Sequence, residues 1–260
     1  MSEPVVRCEV DAEGLATVTL NRPKAVTALS RELLARLTAT IGEIGAGPRV
    51  RVMILTGEGR AFCAGLDLKE IGAGRGSLGG GESPPAGDPV AALTRFSKPV
   101  IGAINGVAVT GGFELALVCD VLIASHAARF ADTHTRVGLA SGWGLSQKLS
   151  RAVGAYRARE ISLSACWVSA QQAADWGFVN RVVSPEALMP EARALAHEML
   201  QAQGDMLVRY KSIINDGFAL PFGEGMALER ERARAFNARV GASEIERRRE
   251  AVRDSNRRRG

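Results

Sequence analysis

The chain has little of what most catalytic signatures require. It carries no GxSxG elbow, no Walker-type glycine loop and no HExxH pair, which removes the common serine-hydrolase, P-loop and zinc-protease readings. Its 260 residues include only three histidines and four cysteines. Cys8, Cys63, Cys119 and Cys166 form no CxxC pair and have no histidine at ligand spacing. Neither a metal site nor a disulfide framework is expected from them, and buried reduced thiols are the better reading. No apolar run approaches the roughly 18 residues of a transmembrane helix. The opening MSEPVVRCEV has neither the basic start nor the apolar core of a signal peptide, so a cytoplasmic location is expected.

What is present suits a soluble globular protein: 46% hydrophobic and 23% charged residues, in a chain long enough to bury a large core. The net charge of +5 is concentrated at one end, because residues 245–260 hold seven arginines against three acids. A basic tail of this kind is solvated helix or oligomer surface more often than a nucleic-acid stripe, and no nucleic-acid or membrane partner is expected.

Residues Val5 to Val10 and Leu15 to Leu20 alternate as two strands around the turn Asp11–Gly14. Ser30 is placed to cap an amphipathic helix running to about Ile44, with Leu33, Leu34, Leu37 and Ile41 on one face. A buried strand follows from Val50 to Leu55, then the small-residue segment Cys63-Ala64-Gly65. Gly72 to Pro89 is too rich in glycine and proline for helix or strand, and its length suits a flap beside a site. Its GxGxxG spelling at Gly74, Gly76 and Gly79 lacks the preceding strand and following helix of a dinucleotide fingerprint, so no nucleotide site is read there. Beyond Pro185 the periodicity is helical, with breaks near Gly204, Gly217–Pro221 and Gly241. Strand–helix alternation followed by a helical end indicates an α/β core with a helical appendage.

The stretch KPVIGAINGVAVTGGFELALVC, Lys98 to Cys119, is the centre of this pattern. Val100 to Ile104 reads as a buried strand, and a helical period starts at Gly112. A glycine pair therefore sits where a loop meets a helix N-terminus, where free N–H groups and the positive end of the helix dipole point outward. Glu114 in that first turn has two readings, a complement to the dipole or an acid at a site. Among the histidines, His126 and His197 lie in polar surroundings, whereas His134 sits between Asp132 and Arg136 and apolar segments. A plain surface or core histidine remains its alternative.

Five stretches, LNRPKAVTAL, AFCAGLDLKE, SKPVIGAINGVAVTGGFELALVCDVLIAS, FADTHTRVGLASGWG and VSAQQAADWGFVNRVV, together resemble the crotonase (enoyl-CoA hydratase/isomerase) superfamily over nearly the whole chain. The resemblance implies an α/β fold, a spiral of ββα units over 1–195 carrying a CoA-ester site. It also implies a C-terminal helical region, 196–260, that builds a homotrimer or a dimer of trimers. The implied substrate is an acyl group carried as a coenzyme A thioester, with no permanently bound cofactor. Backbone N–H groups of Leu66 and Gly111 would form the oxyanion hole, and Ala64, Leu66, Asp67, Leu68, Lys69 and Gly111 would line the CoA side.

Three departures stand out. Thr27 replaces the family's usual Asn. More important, the family's two catalytic glutamates fall on Glu114 and on His134, and Ser141 stands where a proline is usual. Hydration of a trans-2-enoyl-CoA by Glu114 and His134 is the first expectation. Isomerisation through the same enolate and non-catalytic acyl-CoA binding are the alternatives.

Overall fold

The computed structural model describes residues 3–73, 87–241, 243, 245–249 and 253. Two compact units divide the chain at residues 207 and 208.

In the first unit, β1 (Val6–Val10) and β2 (Leu15–Leu20) form the antiparallel hairpin expected from their alternation. Asp11 closes its turn by accepting from the N–H groups of Glu13, Gly14 and Leu15, each at 2.9 Å. A 3-10 turn (Pro23–Ala25) leads to α1 (Arg31–Ala46). Ser30 caps this helix as its sequence position predicts, its hydroxyl accepting from Leu33 N–H at 3.2 Å. At the other end Lys98 Nζ donates to the carbonyls of Ile44, Gly45 and Gly47, which would otherwise lack partners.

The core is then a repeated unit of two strands followed by helix, as the resemblance implies. β3 (Val52–Gly57) and β4 (Ala61–Cys63) precede α2 (Leu68–Gly72) and α3 (Pro89–Arg95). β5 (Val100–Ile104) and β6 (Val107–Val109) precede α4 (Gly111–Leu117). β7 (Val121–Ser125) and β8 (Arg129–Ala131) precede α5 (His134–Val137). The first strand of each pair enters a six-stranded sheet ordered β1-β2-β3-β5-β7-β10, parallel from β2 onward, and the second enters a four-stranded sheet, β4-β6-β8-β9. Each unit thus repeats one lateral step, and the chain spirals. α6 (Leu145–Val153), α7 (Ala155–Ser164), β9 (Val168–Ser169), α8 (Ala170–Asp175) and β10 (Arg181–Val183) complete this layer. Ser169 and Gln172 close a reciprocal capping box at the start of α8.

Alternation along β3 sorts its side chains between two cores. Met53 and Leu55 join the larger cluster, with Leu33, Leu37, Phe62, Phe113 and Phe130. Val52 and Ile54 face the other way, with Ile101, Ala103 and Ile123, onto α9 (Leu188–Leu200). That helix presents Leu188, Ala192, Ala196 and Leu200, a single stripe at four-residue spacing. Arg51 holds its C-terminus by donating to the carbonyls of Leu200 at 2.9 Å and Ala202 at 2.7 Å. The boundary expected at 195/196 therefore falls inside α9. This helix belongs to the first unit because its stripe covers one face of the sheet.

The second unit is helical, built on α10 (Met206–Phe218) and α11 (Phe222–Asn237). Arg232 pairs with Asp216 at 2.7 Å, and the Arg209 guanidinium stacks 4.6 Å from the Phe236 ring centroid.

Two further sequence expectations are modified. Gly72 ends α2, and Pro89 opens α3, with Asp88 capping it by accepting from Ala91 N–H at 2.8 Å. The rest of the expected loop, with Gly74, Gly76 and Gly79, lies outside the described residues. None of the four cysteines is in a disulfide, but only Cys63 is buried, and that burial pushes its thiol up to about 12. Cys8 is exposed because β1 is an edge strand with one face open. Among the described residues no helix is long and apolar enough to cross a membrane, and no cluster of ligating side chains is arranged to hold a metal.

Candidate active site

Glu114 owes its position to a short helix pressed against the small sheet. A side chain at Gly112 would stand 2.1 Å from the carbonyl oxygen of Cys63, so only glycine lets α4 approach β4 this closely. Phe113 then points into the core. It meets Phe130 at 5.2 Å and Phe178 at 5.5 Å between ring centroids, and Phe130 meets Phe178 at 5.1 Å. This triad locks α4 to β8, the strand that leads to His134, so one apolar cluster sets the relative placement of both titratable groups.

The Glu114 side chain is 3% exposed. Its Oε1 accepts from the N–H groups of Trp143 at 2.8 Å and Leu145 at 3.4 Å. Oε2 lies 3.8 Å from Nε2 of His134. Burial raises the Glu114 pKa above the ordinary carboxylate value, outweighing the Trp143 N–H and the nearby imidazole, which favour the charged form.

His134 is held from behind by Asp132. Their side chains meet at 2.6 Å between Nδ1 and Oδ1, and the same Oδ1 accepts from His134 N–H at 3.2 Å. The result is a local Asx turn that orients ring and backbone together. The Asp132 hydrogen bond raises the His134 pKa, and burial only partly opposes it. Burial pushes Asp132 up, yet hydrogen bonds from His134 and Ser162 outweigh it and leave that carboxyl below its usual range.

The two amide positions expected from the sequence lie side by side. Leu29 donates to Gly65 O at 2.8 Å and accepts from Asp67 N–H at 3.2 Å, forming a parallel bridge with Leu66 between them. In such a bridge the N–H of the bracketed residue points away from the partner chain. Gly111 opens α4, where its N–H has no intrahelical partner. Among the described residues neither N–H donates a hydrogen bond. Gly65 brings them together: at φ +83°, a side chain there would stand 2.1 Å from Thr110 Oγ1 and 3.3 Å from Gly111 N. Thr110 itself sits at φ +46°, an uncommon conformation for a β-branched residue, pinned by its N–H on Ala131 O at 3.0 Å.

Glu114, His134, Leu66 and Gly111 open on a cavity of about 580 Å³. Ala64, Leu66, Asp67, Leu68, Gly111, Glu114 and His134 line it, and Leu29, Leu139 and Trp143 add apolar wall. Lys69 is exposed on α2 and lies outside this lining. The Asp67 carboxylate is committed to the fold, capping α2 through Glu70 N–H and pairing with Arg22 at 3.0 Å. Sequence reading missed Asp132 and Trp143. The Asp-x-His spacing was a usable signal for the first. Nothing in the sequence announced that the Trp143 N–H would meet Glu114 29 residues away. His126 is exposed, and His197 is half-exposed beside Glu13, consistent with surface roles.

Arranged in this way, the site pairs a buried carboxylate with an oriented imidazole, beside two unengaged amides on the wall of the same cavity. Known proteins match this chain in sequence and in fold over most of its length. A sequence profile for enoyl-CoA hydratase/isomerase matches residues 11–248. A probable peroxisomal enoyl-CoA hydratase of Arabidopsis thaliana is 43% identical, covering 91% of this chain and 88% of that protein. The crystal structure of an enoyl-CoA hydratase from Mycobacterium tuberculosis H37Rv superposes with a TM-score of 0.73 at 40% identity, over 90% of this chain and 99% of that one. Another, from Mycobacterium smegmatis, reaches 0.82 at 30% identity over 97% of both chains. With a match of this extent in sequence and in fold, the chain belongs to the enoyl-CoA hydratase/isomerase family.

Proposed function

We propose that this protein is an enoyl-CoA hydratase, a carbon–oxygen lyase that adds water across the C2–C3 double bond of a trans-2-enoyl-CoA. The observation that carries this reading is the 3.8 Å approach of Glu114 Oε2 and His134 Nε2 on the wall of the cavity that Leu66 and Gly111 also line. The thioester oxygen accepts from the Leu66 and Gly111 N–H groups. Each such donor contributes about 3–4 kcal/mol to the charge that develops on that oxygen. Glu114, ionised, takes a proton from water as the water oxygen bonds to C3. The π electrons pass to C2 and the thioester as an enolate, and the protonated His134 delivers its Nε2 proton to C2. Water has then been added as hydroxyl and hydrogen. The proton left on Glu114 passes to the neutral imidazole, which restores both groups.

An acid–base pair of one carboxyl and one imidazole is easier to bury than two carboxylates, because the opposite charges offset each other's desolvation. This supports the view that His134 works in place of the family's second glutamate. The substrate is a diffusible CoA thioester, and no resident cofactor takes part. Ala64, Leu66, Asp67, Leu68, Lys69 and Gly111 form its CoA side.

The second unit supports assembly as a homotrimer or a dimer of trimers. Tyr210, Ile214 and Phe218 recur every fourth residue on α10, 62%, 62% and 67% exposed, and Phe222 is 85% exposed. Sedimentation of the purified protein tests this, and a monomer at micromolar concentration would refute it. A cytoplasmic location belongs to the same proposal and is supported by four cysteines of which none is in a disulfide.

The test of function is loss of the enoyl-thioester ultraviolet absorbance with crotonyl-CoA and longer 2-enoyl-CoAs. Binding of these esters with the absorbance unchanged overturns the reading. Conversion of a 3-enoyl-CoA to the 2-enoyl isomer without hydration would assign an isomerase instead.

A further inference from the structure

Several features outside the machinery described above hold no ligand chemistry of their own. The Arg129–Trp167 and Arg159–Tyr156 stacks are exposed surface pairs, and in the Arg157–Trp176 stack the Trp176 ring is half-buried against the core. Cys63 is sealed in the core and Cys8 stands alone on an edge strand. Lys98 is turned onto the end of α1. Asp132 is different. It is a 5% exposed carboxylate that the hydration chemistry does not use directly, and its placement relative to His134 is unusually complete.

We infer that Asp132 is a positioning residue that holds the proton on Nδ1 of His134 and thereby makes Nε2 the atom that exchanges a proton with substrate. This rests on the hydratase reading and deepens it. One oxygen of Asp132 engages both the ring, at 2.6 Å, and the backbone N–H, at 3.2 Å, of His134. The ring cannot turn over without giving up that contact. The opposite nitrogen is thereby aimed at Glu114 Oε2 and into the cavity.

The charged groups facing the ring are few. Asp132 lies behind it and Glu114, from α4, in front. Arg136 on its own helix is turned away, donating to Ser164 O at 3.0 Å on α7. Two anions against one imidazole favour the imidazolium, and the carboxylate behind it decides the tautomer when the proton leaves. A free imidazole has no such constraint. Asp132 thus does for His134 what a neutral side chain could not: it keeps a proton available at Nε2 for delivery to C2, and leaves a lone pair there afterwards to be reloaded from Glu114.

Nitrogen NMR of the imidazoles tests this in the resting protein. Only three histidines contribute, and His134→Gln identifies the signal of interest. The neutral ring of His134 is expected to keep its proton on Nδ1, and a neutral ring protonated on Nε2 overturns the inference even if hydration is observed. In Asp132→Asn the His134 pKa is expected to fall, because the hydrogen bond and negative charge that raise it are gone. The alkaline limb of kcat/KM moves down with it, while affinity for a saturated acyl-CoA stays within about twofold of wild type. A purely structural Asp132 would lower activity evenly across pH and leave that limb in place. Asp132→Glu, which keeps the charge, should hold the limb near its wild-type position, and it carries the test if the Asn variant does not fold. If no enoyl-CoA is hydrated, the NMR result still stands on its own, so failure of the hydratase reading and failure of this inference are told apart.

Discussion

Glu114 and His134 meet at 3.8 Å through Oε2 and Nε2, while their other heteroatoms are turned outward, Oε1 to the N–H of Trp143 and Nδ1 to Asp132. Each group is anchored on one side and open on the other, which is what a pair that must trade a proton with a bound substrate requires.

Replacing Glu114 with Gln keeps the size of the side chain and an acceptor for the Trp143 N–H but removes the base. Its kcat for hydration is expected to fall by about 10²–10⁴, with acyl-CoA affinity preserved. Steady-state assays beside calorimetry check this, and turnover like wild type would remove Glu114 from the mechanism.

At His134, the Ala variant loses the proton donor and should also fall by about 10² or more in kcat. His134→Glu places the family's usual group in the same location. Raised hydratase activity in that variant would mean that the imidazole occupies the second acid's position without doing its work well.

The pH profile follows from the directions of the two pKa values. Glu114 must be ionised to take the water proton, and burial raises its pKa, so the acid limb lies above the ordinary carboxylate value of 4.5. His134 must be protonated to donate, and Asp132 raises its pKa, so the alkaline limb lies above 6.5. The limbs belong to the interacting pair as a whole. Initial rates across pH with crotonyl-CoA check both, and an alkaline limb below 6.5 would contradict the His134 assignment.

Gly65→Ala tests the amide pair. The substitution forces a side chain into a backbone at φ +83° and against Thr110. Displacement of the Leu66 or Gly111 N–H should cost about 10²–10³ in kcat. Circular dichroism and acyl-CoA binding distinguish this from loss of fold.

Thr27 is buried at φ +54°, next to Val26 at φ +53°. Asn tolerates this left-handed region far better than a β-branched residue. The departure from the family's usual Asn is therefore a strained one, and it lies beneath the amide site, since Val26 O accepts from Ala64 N–H at 3.2 Å. Thr27→Asn should stabilise the protein by about 1 kcal/mol, read as a higher midpoint in denaturant.

The sequence by itself determined the elements and their order. Ser30 named the start of α1, glycine and proline marked most of the breaks, and β-branched runs gave β3, β5 and β7, because capping, turn chemistry and side-chain period act over a few residues. Resemblance to family motifs likewise pointed to Glu114, His134, Leu66 and Gly111 as candidates. Tertiary structure alone decided how these groups face one another. Glu114 and His134 are 20 residues apart and come together only because Phe113, Phe130 and Phe178 pack α4 against β8. Leu66 and Gly111 converge because Gly65 has no side chain to hold the loops apart. Asp132 was visible as a neighbour of His134 but not as its partner, since a two-residue spacing does not state which way a ring turns. The division at 207 rather than 195 arose from α9 covering a sheet face that local periodicity could not assign to it. Hydrophobic period says which face of an element is buried. It does not say against what, and the chemistry of this site depends on that second fact.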